Sequence, residues 1–193
     1  DRFNSEMEKQ TGNSPLRVVL TGPYNAGKTS LMYRFVDDKW NTDYTPSVHD
    51  YVPKYPFSTK YGRPVELDLV DTAGREEYDR LRPLSYINAD VMVLVFDLTS
   101  RPSFDKIVSQ FSPEAHHHTP GVPILVIGNK LDIRDDKNEE HVSFQQGKQL
   151  AAAIGAHSYV ETSAKNNSGV HDAFYEAALL GLQYRMFPIR KSS

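Results

Sequence analysis

The sequence predicts an α/β fold, a doubly wound and mostly parallel sheet with helices on both faces. Three observations carry that prediction. Gly22-Pro23-Tyr24-Asn25-Ala26-Gly27-Lys28-Thr29 is a complete G-x-x-x-x-G-K-[ST] phosphate loop, set directly after the mostly apolar run Leu16 to Leu20. Val91 to Phe96 and Pro123 to Ile127 are unbroken apolar runs, the pattern of parallel strands covered on both faces. Phe104, Ile107, Val108 and Phe111 repeat at helical spacing, as do Phe144, Gly147, Leu150, Ala151 and Ile154, which predicts two amphipathic covering helices.

The remaining elements follow in chain order. Residues 1–14 are polar and unpatterned and predict a flexible extension, either a mobile lead or an arm ordered only by a partner. Residues 15–187 form the folded domain and 188–193 a tail. After the first strand and the phosphate loop a helix begins near Lys28. Ser47 to Phe57 is β-rich but holds Pro53 and Pro56, which cannot donate to a ladder and belong on an edge strand. Val65 to Val70 alternates as a strand ending in Asp71-Thr72-Ala73-Gly74. A short strand precedes Glu161-Thr162-Ser163-Ala164-Lys165. Val170, Phe174, Ala177, Ala178 and Leu182 mark a last helix, begun after Asn166-Asn167-Ser168-Gly169 and stopped by Pro188.

The loop's position between strand and helix gives it chemical meaning. Backbone N–H groups from about Asn25 through Ala26, Gly27, Lys28 and Thr29 to Ser30 can converge on a polyphosphate, aided by the helix N-terminus. Lys28 would neutralise the β- and γ-phosphates, and the Thr29 hydroxyl is a hard ligand suited to magnesium. Asp71 lies at a strand's carboxyl end, where open α/β sheets bind ligands, and is expected to hold magnesium through water. The Gly74 N–H can face the terminal phosphate. In Asn129-Lys130-Leu131-Asp132, the Asp132 carboxylate can accept from two adjacent donors that guanine has and adenine lacks. Ser163, Ala164 and Lys165 would supply a backbone N–H to the guanine carbonyl. The competing reading of the loop is a Gly-rich turn that binds nothing.

These motifs resemble those of the Ras superfamily of small GTPases, from Leu16 to about Phe187. The run from Asp71 through Arg75-Glu76-Glu77-Tyr78-Asp79-Arg80-Leu81-Arg82-Pro83-Leu84-Ser85 to Tyr86 is most similar to the Rho and Rac branch, as is a histidine pair shortly after Pro113-Glu114. The resemblance implies GTP or GDP with Mg²⁺ as cofactors and a six-stranded sheet in the order 2-3-1-4-5-6. It also implies a hairpin at Thr59-Lys60-Tyr61-Gly62-Arg63 joining an antiparallel edge strand to the next. Effectors and regulators would meet the chain at two switch regions, about Tyr44–Tyr51 and Gly74–Tyr86. The charged residues Arg75, Glu76, Glu77 and Arg80 read equally as a partner face or a solvated one.

The chain departs from that branch at several positions. The interval from Asp132 to Ser143 is too short for the Rho insert helix, and Asn129 stands where Rho proteins commonly have Thr. Tyr44 and Ser47 fall in the first switch, with Ser47 in place of the threonine that reaches magnesium and the γ-phosphate, so weaker closure is expected. Trp40 stands where an aromatic flanks guanine in relatives, and would pack on base or ribose unless it merely covers the core. Arg75 replaces the catalytic glutamine that orients water; guanidinium has donors only and cannot accept from that water. Tyr24 replaces a glycine, and its ring would crowd the entry of a partner's arginine. Pro23 precedes the cradling amides, so its missing N–H is no loss.

The expected function is a Rho-like switch with weak or absent hydrolysis. The alternative is a binding module for which nucleotide is a structural ligand within a larger assembly, and a more distant one is an ATPase or kinase. A net charge of −3 predicts no general affinity for nucleic acid, and no run approaches the length of a membrane span. With no cysteine there are no disulfides and no acceptor for prenylation. The expectation is therefore a cytoplasmic protein, peripheral to membrane only if a lipidated tail is missing. The chain starts at Asp1, which suggests that residues before it are missing too. His116-His117-His118 is expected on a surface turn rather than around a metal, because neighbouring positions rarely converge on one ion.

Overall fold

The computed structural model describes residues 14–38, 40, 49–59 and 64–187. Strand β1 (Leu16–Thr21) runs through the phosphate loop into helix α1 (Lys28–Asp37), and β2 (His49–Ser58) and β3 (Pro64–Thr72) follow. Two 3₁₀ turns, Glu76–Tyr78 and Arg82–Tyr86, lead to β4 (Val91–Asp97). Then come α2 (Arg101–Lys106), a π turn (Ile107–Phe111), α3 (Ser112–His118) and β5 (Ile124–Asn129). A 3₁₀ turn (Leu131–Ile133), α4 (Phe144–Ala153), β6 (Ser158–Glu161) and α5 (Val170–Met186) complete the described residues.

The strands form one sheet in the order β2-β3-β1-β4-β5-β6, parallel except for the antiparallel β2–β3 pair. The predicted architecture is the observed one. Alternation along the buried strands explains why their sequences read as unbroken apolar runs. Val91, Val93 and Val95 enter one core with Leu16, Leu31 and Phe174, while Met92, Leu94 and Phe96 enter the other with Ile107, Phe111 and Leu150. Each face is sealed by helices, so β4 and β5 are apolar on both sides until their carboxyl ends, where Asp97 and Asn129 stand.

β2 takes the edge position that its prolines predict. Its register with β3 slips between Val52 and Tyr55, and Lys54 adopts φ 50° there. Between the Leu131–Ile133 turn and α4 there is no helix, in keeping with the short interval in the sequence. The hairpin turn at residues 60–63, the extension 1–13 and the tail with Pro188 lie outside the described residues.

Two local expectations need correction. The histidine run lies on α3, not on a surface turn, because α2, the π turn and α3 follow without a break. Pro113 stands in the first turn of α3, where a missing N–H is tolerated, and the wider turn before it relieves the carbonyl that its ring would otherwise strike. His116 Nε2 there donates to the Ile154 carbonyl at 2.8 Å. Val108 and Phe144, assigned to the buried faces of their helices, are each about half exposed. Phe144 instead packs beside the Tyr159 ring, 5.6 Å between centroids.

Candidate functional site

The carboxyl ends of the parallel strands gather the predicted residues along one edge of the sheet. Gly27 caps α1 in the left-handed conformation, φ 87°, and a Cβ there would sit 2.4 Å from Asn129 Nδ2. Only glycine meets both demands. Lys28 is buried, and its Nζ donates to the carbonyls of Gly22 and Pro23, each at 2.9 Å, so the side chain folds back over the loop. Burial pushes its pKa down from 10.5 to about 8, the nearby Asp71 carboxylate works against that, and Arg82 adds to it.

Thr29 donates its hydroxyl to Asp71 Oδ2, and both residues are buried. Two hard oxygens thus meet beside an ammonium at the mouth of a phosphate loop. That donor set suits magnesium, which prefers oxygen and is commonly held by one or two protein groups together with phosphate.

A second cluster lies across the loop. Ser163 donates its hydroxyl to Asp132 Oδ1 at 2.6 Å and accepts the Asn166 N–H at 3.0 Å. Asn129, almost fully buried, donates from Nδ2 to the Ala26 carbonyl at 3.0 Å and accepts the Thr162 hydroxyl at 3.0 Å. One amide therefore stitches the phosphate loop to the segment after β6. Lys130, in the left-handed region at φ 67°, reaches Asp97 with its Nζ at 2.8 Å, so its stem runs past Gly27. Arg34 of α1 closes the cluster, donating to the Ala164 carbonyl at 2.7 Å and the Lys165 carbonyl at 3.0 Å. Of the other predicted site residues, Ala26 is buried and Ser30 half-buried on α1. Trp40 is 41% exposed. Tyr44 and Ser47 lie outside the described residues.

The segment after β3 returns over the loop. A Cβ on Gly74 would lie 2.5 Å from both the Pro23 carbonyl carbon and the Tyr24 nitrogen, so this backbone-on-backbone approach needs glycine. The next residue, Arg75, lays its guanidinium over the Tyr24 ring, 4.7 Å from the centroid. Glu77 stands 3.7 Å from the same guanidinium. Further on, Arg82 is wholly buried and pairs with Glu114 and with Asp79, the latter at 2.9 Å. It also donates to the Ala73 carbonyl at 3.2 Å. Tyr86 bridges Glu114 to Thr21, the last residue of β1, the Thr21 contact being 2.7 Å.

Comparison with known proteins agrees with this geometry. The profile described as Ras family matches residues 17–181. The chain belongs to the Ras family. It is also 40% identical over 188 residues to the Rho-related GTP-binding protein RhoD of Homo sapiens, covering 92% of this chain and 88% of that protein. This member of the Ras family is thus a Rho-like small GTPase.

Several residues that organise this Ras-family site escaped the sequence reading. Asp97 follows the apolar run of β4 as Asp71 follows Val70 near the end of β3, so an acid after a buried apolar run was the available signal. Arg82 was hidden among charged neighbours; nothing local separates it from exposed Arg80. Arg34 stands on a helix face where a basic residue in the last turn reads simply as a partner for the dipole.

Proposed function

We propose that this Rho-like GTPase binds GTP and GDP with magnesium and acts as a molecular switch whose own hydrolysis is weak or absent. One observation carries the binding half: the Thr29–Asp71 pair beside Lys28 shares a sheet edge with the Asp132–Ser163 pair. The first pair suits the polyphosphate end of a nucleotide, and the second suits the base. In this reading the amides of residues 25–30 and Gly74 hold phosphate oxygens, Lys28 neutralises charge, and Thr29 and Asp71, with Ser47, hold the metal. Magnesium would supply charge neutralisation between the β- and γ-phosphates. Asp132 accepts from the guanine edge, with Lys130 and the segment Ser163–Lys165 alongside and Trp40 near the ribose. Effectors and regulators are expected at the two switches, where Leu81 and Leu84 stand exposed.

The deficiency half rests on Arg75 and Tyr24. Arg75 cannot accept a hydrogen bond from an attacking water, and Tyr24 crowds the path of a partner's arginine. Such an arginine contributes ~10³ to 10⁵ in rate, so intrinsic turnover alone would remain. Denaturing the purified protein and identifying the released nucleotide by chromatography tests the first half, with a guanine nucleotide as the expected result. Single-turnover hydrolysis tests the second; cleavage as fast as in active relatives would overturn it. Arg75→Gln should speed the reaction if water positioning is what is lost.

A second reading, a nucleotide-bound interaction subunit with no timing role, is favoured by the contact of Arg75 with Tyr24 over the phosphate loop. Slow nucleotide exchange and co-purification in a stable complex would select it. Partner binding that follows the bound nucleotide would select the switch.

A further inference from the structure

We infer that Tyr24 and Arg75 work as one latch, holding the start of the second switch on the phosphate loop whichever nucleotide is bound. The inference rests on the guanine-nucleotide reading above and explains two departures from the Ras-family pattern together. A ring without a cation, or a cation without a ring, would hold nothing.

The contact joins segments far apart in sequence. The Arg75 guanidinium sits 4.7 Å from the centroid of the Tyr24 ring, within cation–π range. Gly74, immediately before it, already rests on the backbone of Pro23 and Tyr24. Beneath, Lys28 fixes the carbonyls of Gly22 and Pro23 at 2.9 Å each. The loop is therefore fastened from below by Lys28 and capped from above by Gly74 and Arg75.

Beyond the latch, the same segment is tied to parts of the fold that carry no nucleotide. Glu76 accepts from Lys106 of α2 at 2.8 Å, and Arg82 is anchored to Glu114 of α3 at 2.8 and 2.7 Å. The far end is secured by a buried pair, whereas the near end depends on exposed contacts, each of which is weak. A GTPase switch is normally ordered by the γ-phosphate and released when that group leaves. Here side chains of the chain itself supply contacts at the place where release would begin. A partner's guanidinium would also find the Tyr24 ring already covered, so a regulator of this protein must act without inserting arginine there.

Hydrogen exchange tests the latch on the whole chain. Wild type, Tyr24→Gly, Arg75→Gln, the double variant and Tyr24→Phe are each loaded with GDP or with a non-hydrolysable GTP analogue. Exchange is then followed in peptides covering residues 73–86. The wild type is expected to differ less than about twofold between the two nucleotides. Either Tyr24→Gly or Arg75→Gln should raise exchange in the GDP form by about two- to fivefold, the worth of one exposed cation–π contact. The double variant should add nothing beyond either single one. Tyr24→Phe keeps the ring but loses the phenol oxygen that also faces the guanidinium, and should raise exchange less than Tyr24→Gly does.

A wild-type difference above tenfold between nucleotides, additive single effects, or Tyr24→Phe behaving as Tyr24→Gly would each overturn the latch. Should the protein refuse guanine nucleotides altogether, the proposed function fails. The comparison of wild type, Tyr24→Gly and Tyr24→Phe in the nucleotide-free protein then still decides the latch by the same criteria.

Discussion

Arg82 and Glu114 face each other through two parallel hydrogen bonds, Nε to Oε1 at 2.8 Å and Nη2 to Oε2 at 2.7 Å. The guanidinium also lies 4.7 Å from the centroid of the Phe111 ring. This buried pair fastens the 3₁₀ turn that precedes β4 to helix α3, and through Tyr86 it touches the strand that feeds the phosphate loop.

Glu114→Gln keeps the shape of that contact and removes its charge. An uncompensated buried guanidinium costs about 3–5 kcal/mol, and Asp79 remains near Arg82, so a loss of about 3 kcal/mol is expected. Urea unfolding at a fixed excess of GDP measures it, because bound nucleotide would otherwise shift the comparison. A change below about 0.5 kcal/mol would show that Asp79 alone suffices.

Lys28 predicts a pH dependence. Its folded pKa of about 8 lies below the ordinary 10.5, so between those values the unfolded chain holds a proton that the folded chain has released. Stability of the nucleotide-free protein should therefore rise with pH across that interval and be insensitive to this group at lower pH. Bound polyphosphate would restore the proton. Calorimetry near pH 8 in buffers of different ionisation heat should then record uptake of about half a proton on GDP binding, declining toward zero near pH 7. No uptake across this range would contradict the burial effect.

Asn129→Ala removes both bonds of the stitch between the phosphate loop and the segment after β6. The Ala26 carbonyl and the Thr162 hydroxyl each lose a buried partner, at about 1–3 kcal/mol apiece. Release of a fluorescent GDP should accelerate about tenfold or more, each 1.4 kcal/mol being a factor of ten. Unchanged release would mean that the loop keeps its shape without the amide.

Chelating divalent metal should speed GDP release from the wild type by at least about tenfold, and Asp71→Asn should shrink that ratio. The comparison separates the metal's contribution from that of Lys28, which the variant retains. An equal chelation effect in both proteins would remove Asp71 from the metal site.

The fold was legible because its signals are local. Leu16 to Leu20, Val91 to Phe96 and Pro123 to Ile127 each lie within a strand or one residue of its start, and Pro53 and Pro56 marked the edge. The main residues of the candidate site were legible for the same reason: Lys28, Thr29, Asp71, Asn129 and Asp132 fall within short motifs at strand ends. Illegible were the contacts joining distant segments. Sequence alone pairs neither Tyr24 with Arg75 nor Arg34 with Ala164, since each pairing exists only once the sheet has brought its edges together. The helical setting of the histidines failed for a different reason. Pro113 reads as a breaker unless a π turn precedes it, and no residue pattern announces that turn.

The irregular outer strand has a bearing on how this protein keeps company. A sheet that ends in a straight ribbon invites another chain to zip onto it, whether a partner or a misfolded copy. Here two prolines and the slipped register around Lys54 spoil that template. Associations on this flank must be made by side chains, and concentrated stocks should resist growing fibrils from this border.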